Sequence, residues 1–284
     1  MADSTQVVRS AGTRKWSPIR TGKRPARAPS ARTRANPGAC RRLYGRGRRE
    51  LAFFAAVYGL YDAGRWLFAG DGSAARDHAR WVIRLERALH LAIEGSVQRA
   101  FDSTAAEWML SNIYLAAQLV VLPGTLLWLY RRSPPIYRQL RDTVIGAWLV
   151  AVPIFAIYPV APPRLAGIGL ADTVSHQAAV ALTGHSTIFY NPYAAVPSLH
   201  VGLAFAIGIA VRTALRPRAA RMLAVFWGPL VTLSVVATGN HYLLDAIAGL
   251  LTTASAYALV RWSRRRTSGR PLRLASLATT SLPS

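Results

Sequence analysis

The chain has 284 residues, 52% of them hydrophobic and only 17% charged, where a soluble domain carries about a quarter charged residues. Its formal net charge is +23, but the Lys and Arg collect at the two ends rather than along one stripe, which excludes a nucleic-acid groove binder. A single cysteine, Cys40, excludes an internal disulfide and a cysteine-built metal site.

Residues 1–49 hold 14 Lys and Arg against one acid, Asp3. Rich also in Ala, Pro, Ser and Gly, they bury too little apolar surface to fold and read as a disordered basic cytoplasmic arm. No small-residue cleavage site follows the positive run, so the arm is not read as a cleaved signal. Residues 50–262 then contain six apolar segments near the roughly 20 residues that cross a hydrocarbon core of about 30 Å. They are Leu51–Ala69, Trp108–Tyr130, Val144–Tyr158, Tyr193–Val211, Met222–Thr238 and Leu243–Trp262. The first is interrupted by Asp62 and Arg65, which either pair at helical spacing or leave Arg65 to reach the outer surface. The third is short. Between the first two, Trp81, Val82, Leu85, Leu89, Ile93 and Val97 recur every three or four residues with Arg80, Arg84, Arg87 and Glu94 among them. That pattern reads as an amphipathic helix at the membrane interface or as a water-facing cap helix. The expected fold is all-α, a polytopic membrane protein with a six-transmembrane-helix bundle and an interfacial amphipathic helix, closed by a basic cytoplasmic tail at 263–284.

With the amino terminus in the cytoplasm and six alternating helices, 28 of the 35 Lys and Arg fall inside. The other seven, Arg65, Arg76, Arg80, Arg84, Arg87, Arg99 and Arg164, share the outer and membrane regions with nine of the 12 acids. The positive-inside rule is met at every loop, and both termini are expected in the cytoplasm.

Three polar segments then share the outer face: Tyr158-Pro-Val-Ala-Pro-Pro-Arg164, Asn191-Pro-Tyr-Ala-Ala-Val-Pro-Ser-Leu-His200 and Thr238-Gly-Asn-His-Tyr-Leu-Leu-Asp245. Polar residues near helix ends can line one cavity at tolerable cost. His241 and Asp245 stand four apart, so a carboxylate can accept the imidazole Nδ1–H and leave Nε2 as base or nucleophile. His200 follows Ser198 at a helix amino terminus, where backbone N–H groups suit phosphate oxygens. Arg164 offers a planar fork for phosphate, and Ser198 and Asn240 join it as phosphate-binding candidates. Each residue has a plainer reading: a satisfied polar side chain for either histidine, a headgroup anchor for Arg164, a helix cap for Ser198. Trp128 and Trp262 read as interfacial anchors, and His78, His90, His176 and His185 are assigned no role.

Pro197-Ser198-Leu199-His200 and His241-x-x-x-Asp245 resemble the second and third motifs of the type 2 phosphatidic acid phosphatase superfamily. The usual second motif reads Pro-Ser-Gly-His; Leu199, the upstream Ala-Pro-Pro-Arg and the Gly-Asn-His-Tyr-x-x-Asp run resemble the branch of inositol phosphorylceramide synthase. The resemblance covers about residues 50–262. It implies a site between helices at the outer leaflet, with His241 as the nucleophile forming a phosphohistidine, Asp245 orienting it, and His200 as acid and then base. No metal or cofactor is implied. Two cations of the family pattern are missing. The position seven residues before Arg164 is Ile157 rather than Lys, and the position six before His241 is Val235 rather than Arg. Fewer cations suit the single charge of a phosphodiester.

The expected function is a membrane lipid phosphotransferase or phosphatase, with a lipid phosphoester as substrate, inositol or another alcohol as a candidate acceptor, and no nucleic-acid partner. The plasma membrane is the expected location. The rivals are a non-catalytic lipid-binding protein that kept the fold and, ranked last for want of an inverted repeat, a channel or transporter.

Overall fold

The computed structural model describes residues 37–67, 72–177 and 193–268. The chain divides into two compact units, Met1–Arg49 and Glu50–Ser284. The described part of the first is helical from Pro37, so residues 37–49 depart from the disorder expected of the arm. They belong to α1 (Pro37–Leu67). Residues 1–36 of the arm and 269–284 of the tail lie outside the described residues.

The rest of the described chain is all-helical. After α1 come α2 (Gly72–Ala88), α3 (Glu94–Ala100), α4 (Thr104–Ala116), α5 (Leu122–Arg132), α6 (Pro134–Ile157), α7 (Thr173–Gln177), α8 (Leu199–Ala214), α9 (Arg218–Ala237) and α10 (Leu243–Ser268). A π turn at Ala117–Val121 joins α4 to α5, so Thr104–Arg132 is one continuous rod. Pro123 stands in the first turn of α5, and the wider turn ahead of it absorbs a ring that would otherwise strike the preceding carbonyls.

Among the described residues, four helices are long and apolar enough to cross a membrane: Thr104–Arg132, Pro134–Ile157, Arg218–Ala237 and Leu243–Arg266. The chain is therefore read as an integral membrane protein. The segment expected to begin at Val144 is a full-length helix from Pro134, because the polar turn before Val144 continues the helix rather than ending it. The segment expected from Tyr193 becomes helical only at Leu199 and is a shorter apolar helix. Its first residues are held extended, with Val160 and Ala194 forming an isolated parallel β-bridge.

Apolar transfer cannot drive helix association inside lipid, so close approach of small residues does. A Cβ added to Gly202 of α8 would lie 2.2 Å from Thr253 Oγ1 and 2.3 Å from the Gly249 carbonyl oxygen of α10. One added to Gly249 would lie 1.9 Å from the Ser198 carbonyl oxygen. Those two glycines set α8 and α10 nearly backbone to backbone. A larger core joins Tyr61 of α1 to Trp148 of α6, stacked at 4.9 Å, with Leu126, Leu129, Leu203 and Ile207 around them.

α2 buries Ala75, Ala79, Val82, Ile83 and Glu86. Of the apolar residues that the spacing singles out, Val82 is buried, while Trp81 is 51% exposed and Leu89 and Ile93 also face outward. Alanines win the inner face because α2 lies directly on the extended Pro159–Ala161 segment, where Ala161 N–H donates to the Ala75 carbonyl at 2.9 Å. His78 Nδ1–H donates to the Pro159 carbonyl at 2.7 Å and its ring stacks on Tyr158 at 4.0 Å, a packing role.

Candidate active site

The three polar segments are tied together by main-chain hydrogen bonds before any side chain is considered. Val160 N–H donates to the Tyr193 carbonyl (2.8 Å) and Ala195 N–H to the Val160 carbonyl (3.3 Å), joining the first segment to the second. Ser198 N–H donates to the Asp245 carbonyl and Arg164 N–H to the Gly239 carbonyl, both at 3.0 Å, joining each to the third. Gly239 has φ +66°, a left-handed turn directly after α9, and an added Cβ would lie 3.1 Å from the Ala171 carbonyl oxygen. The carboxyl ends of α6 and α9 and the amino ends of α8 and α10 therefore meet at one site.

His241 is buried just ahead of α10, and His200 is the second residue of α8. Their ring centroids are 5.9 Å apart at 51°. Tyr114 of α4 stacks on His200 at 4.3 Å and 21°, fixing the plane of that imidazole. His241 Nδ1 lies 2.9 Å from the Ala195 carbonyl oxygen and 3.5 Å from Asp245 Oδ2. A carbonyl can only accept, so Nδ1 carries the proton and the neutral ring has its lone pair at Nε2. The sequence reading assigned this task to Asp245 alone; Ala195 is the nearer acceptor. Asp245 Oδ2 instead turns back to the Tyr242 N–H at 2.9 Å, as carboxylates in a first helical turn do, and stays within ionic reach of the imidazole.

Arg164 sits in a 3₁₀ turn, Pro163–Leu165. Its Nε donates to Asp172 Oδ2 at 3.2 Å and its Nη1 to Asn240 Oδ1. Asn240 is thereby committed: its Nδ2 donates to the Thr238 carbonyl and hydroxyl. Expected to bind phosphate, Asn240 holds the arginine in place instead. Ser198 occupies the amino-cap position of α8, but its hydroxyl makes no cap bond, which removes the plainer reading. The hydroxyl is buried, with no hydrogen-bond partner among the described residues.

Of the two positions where the resemblance leads one to look for a cation, Ile157 is 81% exposed on the outer wall and Val235 is fully buried among Val201, Ala204 and Val231. Val235 serves through its backbone, its carbonyl accepting the N–H of Asn240 and His241. Asn191, Pro192 and His185 lie outside the described residues.

A family model described as the PAP2 superfamily matches residues 80–259, more than half the chain and every segment of the site. The chain belongs to the PAP2 superfamily. No curated protein and no solved structure matches it. PAP2 membership brings phosphatase- or phosphotransferase-type chemistry on a phosphoester, carried out by a membrane-associated protein.

Sequence reasoning missed several residues packed around these segments. Gln98 of α3 donates to the Ala171 and Ala237 carbonyls and accepts from Ala171 N–H, stapling the loop that carries Asp172 to the end of α9. Asp172 also accepts from Ser175 N–H and Oγ–H, a cap visible in the three-residue Asp–Ser spacing. Glu86 and Glu94, from α2 and α3, are 1% and 4% exposed and reach the first turn of α10. Burial and the neighbouring Glu94 and Asp245 carboxylates push the Glu86 carboxyl up to about 8, so it is protonated at neutral pH. The same burial and acids push the Tyr242 hydroxyl far above the usual phenol range. Among the described residues, no group of three or more His, Cys, Asp or Glu has the arrangement to hold a metal ion.

Proposed function

We propose that this protein is a lipid phosphotransferase or phosphatase working through a phosphohistidine on His241, at the extracytoplasmic face of the plasma membrane. One observation carries the reading: His241 has its Nδ1 proton committed to a carbonyl and its ring 5.9 Å from that of a second histidine. His241 Nε2 attacks phosphorus, the bond to the leaving oxygen breaks, and His200 protonates that oxygen. His200 then takes the proton of water or an alcohol as it attacks, and the P–N bond breaks to free His241. Asp245 balances the cationic ring, and Arg164 with the Ser198 hydroxyl faces the phosphate oxygens. With Ile157 and Val235 in place of cations, a singly charged phosphodiester is the favoured substrate class, and inositol-type alcohols are the favoured acceptors.

In this reading α1 and α8 complete six spans, both termini are cytoplasmic, and α2 rests on the outer interface, its exposed Trp81 and the exposed Leu89 just after it supporting that placement. Purified protein incubated with a panel of phospholipids, with and without inositol, and analysed by mass spectrometry should yield phosphorus-transfer products. His241→Ala should yield none, and His200→Ala should slow turnover about 10²–10⁴-fold. Unchanged turnover in His241→Ala would sink the nucleophile assignment.

The missing cations also favour a second reading, a lipid-binding protein without turnover. It predicts no acid-labile phosphoenzyme with any lipid of the panel.

A further inference from the structure

Three consecutive backbone N–H groups open α10, and each is taken by a carboxyl group from a different helix. Tyr242 N–H donates to Asp245 Oδ2 at 2.9 Å, Leu243 N–H to Glu94 Oε1 at 3.0 Å, and Leu244 N–H to Glu86 Oε1 at 2.8 Å. A helix amino terminus leaves such donors unpaired and carries a partial positive charge, so carboxyl groups are stabilised there. What is unusual is that two of the three come from elements some 150 residues earlier in the chain. Both side chains are almost fully buried, and neither belongs to the phosphoryl-transfer step proposed above.

His241 immediately precedes this turn. Its imidazole meets the Ala195 carbonyl only if residues 241–245 keep their present course, and main-chain donors at 242–244 fix that course. We infer that Glu86 and Glu94 are positioning residues that lock the first turn of α10 and so hold His241 in its Nδ1–H form with Nε2 presented to the site. The inference rests on the proposed role of His241 for its meaning, but its test reads the imidazole directly.

The groups facing Glu86 are Glu94 from α3 and Asp245 and the Tyr242 hydroxyl at the start of α10. A protonated Glu86 donates to Glu94, which relieves the repulsion among the three acids. Glutamine reproduces that protonated form: its carbonyl oxygen accepts from Leu244 N–H and its amide donates to Glu94. Methionine keeps the volume and removes both functions.

The full chain, labelled with ¹⁵N-histidine and held in lipid nanodiscs, would be observed by NMR, with the His241 signals assigned by their loss in His241→Gln. Wild type and Glu86→Gln should show a single Nδ1–H form. Glu86→Met and Glu94→Met should show a mixture of the two tautomers. A role confined to stability would lower the unfolding temperature of the Met variants while leaving a single tautomer, and that result overturns the inference. Should the Met variants not fold, Glu86→Gln decides alone: a mixed tautomer there also overturns it. Because no substrate enters the experiment, failure here is distinct from a failure to find lipid turnover.

Discussion

Tyr114 lies far in sequence from every motif, yet its ring covers one face of His200. Ring pairs of this kind contribute about 0.5–1.5 kcal/mol beyond the area they bury, enough to bias which way an imidazole points. Tyr114→Leu should lower kcat about 10-fold or more with KM little changed, whereas Tyr114→Phe, which keeps the stack, should retain most of the rate. Steady-state kinetics on the phospholipid that responds best in the panel would check this; equal losses in both variants would contradict a role through stacking. The two histidines and Asp245 were legible because spacing and chemistry coincide in them. Tyr114 was not, because a tyrosine in an apolar span looks like any packing residue until the bundle closes. The Ala195 carbonyl was invisible for a different reason: backbone acceptors carry no side-chain signature.

At the level of helices, four strongly apolar segments could be read directly, while their ends could not. Tyr193–Ser198 has span-like composition but is drawn out of the helix by the bridge to Val160. Pro134–Thr143 has loop-like composition but is helical, with its Arg141 paired to Glu50 at 2.6 Å and to Asp142 at 2.7 Å. The stripe read in α2 caught Val82 but not the alanines, Ile83 and Glu86 that share its buried face, because small and acidic residues carry little hydrophobic signal. The contact of α8 with α10 supports a test at this scale. Gly249→Ala must push the Ser198 carbonyl away, and overpacking of this kind costs about 1–3 kcal/mol. Thermal unfolding in detergent should therefore show a lower midpoint for Gly249→Ala, with His200 displaced and activity reduced. Gly124→Ala, where an added Cβ meets nothing within 4 Å, should be neutral or stabilising by about 0.5–1 kcal/mol.

For the molecule as a whole, pH acts through Glu86. Its carboxyl is held at about 8 in the folded protein against an ordinary value of 4.5. Between those values the folded state binds the proton that the unfolded chain has released, so stability falls as pH rises across this window and levels off above it. Unfolding midpoints measured from pH 5 to pH 9 should decline, and Glu86→Gln should remove this part of the slope. An unchanged slope in the variant would assign the dependence to another group.

The exposure of Ile157 limits how charge could be added to the site. A lysine placed there would carry its ammonium along the outer wall rather than toward His241, and an arginine at Val235 would drive a charge into the packed interior beside Val201 and Ala204. Neither substitution would add a cation facing His241. Added positive charge at this site would have to come from a position other than 157 or 235, because the backbone course, and not only residue identity, turns both away from it.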